Sequence, residues 1–70
     1  MKVNLNLLNS KMVLYGDTNE TLSKALDLSQ QRLSAKRNST NGAEFTQSEI
    51  QIIKERYNLT DQEVVKIFLS

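Results

Sequence analysis

Apolar residues along the chain recur at spacings of three and four, and short polar stretches of hydroxyl, amide and glycine residues separate the runs; this period predicts α-helix throughout. Leu5, Leu8, Met12 and Tyr15 fall on one helical stripe, with Asn4 as its N-cap and Gly16 as the residue that ends it. A second helix buries Leu22, Ala25 and Leu26. Asp17 or Thr18 caps it, and Glu20 sits in the first turn, where the helix dipole favours an anion. Asp27-Leu28-Ser29 then supplies one left-handed residue, one apolar anchor and one N-cap, a turn too brief for anything but a sharp change of direction. The third helix is poor in apolar residues, because Leu33 and Ala35 lie two apart and cannot share a stripe.

Two capping boxes mark the remaining helices. Thr46-Gln47-Ser48-Glu49 opens the fourth, with Phe45 and Ile50 placed as a hydrophobic staple and Ile50, Ile53 and Tyr57 as the inner stripe, Ile52 to one side. Thr60-Asp61-Gln62-Glu63 opens the fifth, with Leu59 and Val64 as its staple. The apolar residues Val64, Val65, Ile67, Phe68 and Leu69 contain enough β-branching to suggest a strand, but the capping box argues for helix. The expected architecture is all-α: one compact five-helix domain over residues 1–70, with helices near 4–15, 19–26, 30–37, 47–57 and 61–69.

Composition narrows the function. Seventy residues with 39% apolar positions make one small core, since a chain of this size buries only about 60% of its unfolded surface. Packing alone then supplies a stability of about 3–5 kcal/mol. The absence of Cys and His removes disulfides, thiol nucleophiles, imidazole bases and nearly every zinc site. No nucleophile–base set is present and the carboxylates near the basic loop, Asp27, Glu44 and Glu49, form no convincing acid/base pair, so no catalysis, metal or cofactor is expected. No run of 18 apolar residues occurs and Met1 to Leu8 lacks the apolar core of a signal peptide, which points to a cytoplasmic protein without a membrane partner. The net charge of +1 is unevenly spread: residues 1–42 carry six basic and three acidic groups, residues 43–70 three and five. The stretch 28–42 holds Arg32, Lys36 and Arg37 and no acid, which suits an anionic partner.

Helix, brief turn, polar helix is the helix-turn-helix order, and its chemistry fits double-stranded DNA. Ser29 can give its hydroxyl to a phosphate at the helix N-terminus. Gln30 and Gln31 offer the acceptor and paired donors that match adenine in the major groove, and Ser34 reaches the same face one turn on. Arg32 and Lys36, four apart, make a basic edge for a phosphate strand, and Arg37 adds a third cation. The plain alternative is that these glutamines and cations form an ordinary solvated face.

Residues 18–34, Thr18-Asn19-Glu20-Thr21-Leu22-Ser23-Lys24-Ala25-Leu26-Asp27-Leu28-Ser29-Gln30-Gln31-Arg32-Leu33-Ser34, resemble the core of Cro/CI-type (XRE-type) helix-turn-helix regulators of bacteriophages and prophages. Phe45-Thr46-Gln47-Ser48-Glu49-Ile50 is similar to the start of the fourth helix in short Cro-like proteins of Gram-positive phages. The resemblance implies a lambda-repressor-like fold and a transcriptional regulator that binds operator DNA. It implies that Asn19 touches a phosphate, that Ser29, Gln30 and Gln31 begin the recognition helix, that Ala35 meets a thymine methyl, and that Asn38 closes the helix near the backbone. The sequence departs from the family in two places. Asp27 replaces the usual turn Gly, and Arg37 replaces a commonly apolar residue, so that either its stem lies over the core or the third helix packs less firmly.

Helix 5 carries more apolar residues than one buried stripe needs. They either close the bottom of the domain or form a homodimer patch of Val65, Phe68 and Leu69. The alternative function is an antirepressor-type module whose polar third helix binds a phage repressor protein rather than DNA.

Overall fold

The computed structural model describes residues 3–69; Met1, Lys2 and Ser70, which belong to the expected domain span, lie outside the described residues. Five helices follow in order: α1 (Leu5–Leu14), α2 (Asn19–Ala25), α3 (Gln30–Arg37), α4 (Gln47–Arg56) and α5 (Asp61–Phe68), with a 3-10 turn over Thr40–Gly42 between α3 and α4. No strand occurs among the described residues.

Local chemistry sets each start. The side chains of Asn4, Thr18, Ser29, Thr46 and Thr60 each accept from a backbone N–H in the first turn of the helix they precede. Both expected capping boxes form, and Thr21 completes a third with Thr18. The chain turns between α1 and α2 at Gly16, whose φ of +68° is cheap only without a Cβ. Asp27 takes the left-handed conformation at φ +57° between α2 and α3, and the Leu28 N–H returns to the Ser23 carbonyl at 2.9 Å, closing the end of α2.

Each helix contributes one aliphatic side chain to the centre: Leu8, Leu22, Leu33, Ile53 and Ile67, none more than 1% exposed. Met12, Leu26, Tyr57, Leu59 and Phe68 complete the cluster, with Val3, Leu28, Phe45, Ile50 and Val64 packed around it. Tyr15 and Phe68 lie elsewhere than the sequence pattern places them. Tyr15 falls just beyond α1 as its C-cap; it is half exposed and tilts against Tyr57 with ring centroids 5.4 Å apart. Phe68, expected in a dimer patch, is buried and meets Phe45 edge-on at 5.4 Å. The reason is the period of α5: Val64, Ile67 and Phe68 share the inner face, and Val65 and Leu69 the outer one.

A polar clamp that the sequence reading did not foresee joins the α1–α2 connection to α4. Asp17 accepts from Arg56 Nε and Nη2 at 2.6 and 2.7 Å, from the Tyr57 hydroxyl at 2.5 Å and from Thr21 Oγ1 at 2.5 Å. The start of α1 and α5 are joined as well, since the Asn4 N–H donates to the Ile67 carbonyl at 2.7 Å and Lys11 pairs with Glu63 at 2.5 Å.

Candidate nucleic-acid interface

α3 is held to the domain by one side only. Leu33 is fully buried, and Lys36, one turn later, is buried beside it. Helical geometry then turns Gln31, Ala35 and Asn38, at spacings of four and three, away from the core. Ser29, Gln30, Gln31, Arg32 and Asn38 are exposed, and Ser34 and Ala35 partly so. The Ser29 hydroxyl oxygen accepts from the Arg32 N–H at 3.1 Å, which fixes the first turn. Asn38 folds back, donating from its side chain to the Ser34 carbonyl at 3.0 Å. The result is a polar, hydrogen-bonding helix face with one exposed cation, Arg32.

Three of the expected site residues point elsewhere. Lys36 was to line a basic edge with Arg32. Instead its ammonium donates to both oxygens of Glu49, at 2.6 and 2.8 Å, and both side chains are about nine-tenths buried. The position explains this: Lys36 lies three residues after Leu33 on the inner stripe, and Glu49 is held facing it by its own capping box, where the same carboxylate accepts from the Thr46 N–H at 2.9 Å. Burial alone would push the Glu49 carboxyl up, but the bonds from Lys36 and Thr46 outweigh it and hold the group below its ordinary range.

Arg37, expected as a third outward cation, is half-buried and reaches back over the domain. Its Nη1 donates to Asn19 Oδ1 at 3.0 Å and its Nη2 to Asn9 Oδ1, while Nε is buried without a partner. The structure thus shows the head group of this residue tied down against α1 and α2. Asn19 is correspondingly engaged, since its Nδ2 donates to the Gln30 carbonyl at 3.4 Å.

What remains together on one surface is Ser29, Gln30, Gln31, Arg32, Ser34, Ala35 and Asn38. Away from it, Val65 and Leu69 stand half exposed on α5, and Val13, Leu14 and Tyr15 form an exposed apolar cluster at the end of α1. Val13 and Leu14 lie off the Leu5–Leu8–Met12 stripe, and that offset is the one signal in the chain that pointed to the cluster. Among the described residues, no group of three or more His, Cys, Asp or Glu is placed to hold a metal ion, and no helix is long and apolar enough to cross a membrane. Neither the family models nor the curated proteins and solved structures compared with the chain match it.

Proposed function

We propose that the protein is a sequence-specific DNA-binding regulator of the Cro/repressor type, from a phage or prophage, in which α2 and α3 act as a helix-turn-helix pair and α3 enters the major groove of operator DNA. The observation that carries the reading is the pair Gln30 and Gln31, exposed on the first turn of a helix anchored from behind by Leu33. Two adjacent exposed amides at the start of a helix have the donor and acceptor pattern that an adenine edge requires. Gln30, Gln31 and Ser34 read bases, Ala35 meets a thymine methyl, and Ser29, Arg32 and Asn38 hold phosphates. A homodimer through Val65 and Leu69 doubles the footprint, which matters for a chain of net charge +1 that gains little counterion release alone. Regulation then requires only that the bound protein occlude a promoter.

Selection of bound sequences from random duplexes tests this. Enrichment of a two-fold symmetric motif supports both DNA binding and dimerisation; no enrichment at about 50 mM salt, where phosphate contacts are strong, overturns the reading. On the selected site, Gln31→Ala is expected to cost about 1–3 kcal/mol of binding with little change on random DNA. An equal loss on both would reassign Gln31 to backbone positioning.

One observation favours a second reading, an antirepressor-type module that binds a phage repressor. With Lys36 neutralised by Glu49 and Arg37 turned inward, α3 keeps only Arg32 as an exposed cation. A protein partner needs no more charge than that. In this case the chain alone retards no duplex, and it forms a complex when a repressor of this type is added.

A further inference from the structure

Arg37 makes a connection that base readout does not itself use. From the last turn of α3, its guanidinium donates to Asn19 at the start of α2 and to Asn9 in the middle of α1. The amide of Asn19 passes the connection on, donating to the carbonyl of Gln30, the first residue of α3. A hydrogen-bonded path therefore leaves the C-terminal end of α3, crosses the first residue of α2 and returns to the N-terminal end of α3, with α1 as a third point of attachment. Both acceptors of the guanidinium are neutral amide oxygens, so the arrangement is not an ion pair. It exploits the planar fork of arginine, which can satisfy two acceptors in fixed directions where a lysine ammonium offers one point. The buried Nε adds that the head group is seated in the protein surface rather than swung toward solvent.

Resting on the reading of α3 as the DNA-contacting helix, we infer that Arg37 is a positioning residue: it braces α3 at both ends against α1 and α2, sets the direction in which Gln30 and Gln31 project, and does not itself grip a phosphate. The brace adds a hold at both ends of α3 to those of Leu33 and the Lys36–Glu49 pair on its inner stripe, and so resists rolling about that stripe. Rolling would carry both glutamines off the base edges while leaving general attraction to DNA intact.

The test compares wild type, Arg37→Lys and Asn9→Asp on the selected duplex and on a random one, across a salt series, with thermal unfolding measured in parallel. Arg37→Lys retains the charge but loses the fork, and is expected to lower the preference for the selected duplex about tenfold while leaving random binding and the salt slope unchanged. Asn9→Asp places a carboxylate against the guanidinium, tightening the brace as it neutralises the cation, and is expected to keep the preference. Two results overturn the inference: Arg37→Lys with full preference, which together with lower thermal stability marks a merely structural residue; or Asn9→Asp with equal weakening on both duplexes and a salt slope reduced by about 0.9, the mark of a lost phosphate contact. A wild-type chain that selects no duplex removes the DNA reading itself, and the brace as a readout device with it.

Discussion

Asp17 joins three side chains through one carboxylate. It sits on the short connection between α1 and α2, only 6% exposed, and accepts hydrogen bonds from Arg56, Tyr57 and Thr21. The Arg56 bonds dominate, with Thr21 and Tyr57 adding to them against the cost of burial, and the carboxyl is held well below its ordinary range. Burial and the facing Asp17 push the Tyr57 phenol up in turn. Asp17→Asn keeps the shape and removes the charge, so Arg56 and Tyr57 lose their strongest acceptor. The expected cost is about 2–4 kcal/mol of stability, read as a lower urea midpoint with an unchanged slope. A loss below about 0.5 kcal/mol would mean that the clamp contributes no more than a surface pair.

At the scale of the element, α3 is held on by unusual means. Its stripe has one aliphatic residue, and the next inward position is filled by Lys36 with its stem packed and its ammonium on Glu49. Such a pair is costly to break and nearly neutral to replace as a whole. Lys36→Met alone strands a buried carboxylate and is expected to destabilise by about 3 kcal/mol. Adding Glu49→Gln, which can still complete the capping box, is expected to recover most of that loss in chemical denaturation. If the double variant is no more stable than the single one, Lys36 holds α3 by something other than its charge. The same arrangement explains why α3 presents so little positive charge outward, the feature that keeps a protein partner in view beside DNA.

At the scale of the molecule, the hydrogen-bonded carboxylates of Asp17 and Glu49 link folding to pH. Both Asp17 and Glu49 have folded pKa values depressed below their ordinary values of 3.8 and 4.5. The unfolded chain therefore takes up protons first as pH falls, and the stability these groups contribute, complete near neutrality, declines below about pH 4.5 and continues to fall through the acid range. Thermal midpoints measured from pH 7 down to about pH 2.5 are expected to drop steeply below pH 4.5, and the drop is expected to shrink in Asp17→Asn. A midpoint flat across that range would separate these carboxylates from global unfolding.

The helices, their order and most of their boundaries were legible in the chain itself, because caps, glycine and the three-and-four spacing act within a few residues of where they stand. Asn4, Ser29, Thr46 and Thr60 cap as their positions imply, and Asp27 takes the left-handed turn that its place between two helices demands. The exposed glutamines of α3 follow from the same local pattern. What the chain alone left unsettled was the direction of residues whose partners are distant in sequence: Lys36 toward Glu49, Arg37 toward Asn9 and Asn19, Asp17 toward Arg56, Phe68 toward Phe45. A long side chain near the edge of a stripe has inward and outward rotamers of similar local energy. Only the arrival of another helix, with a carboxylate, an amide oxygen or a ring in reach, selects between them.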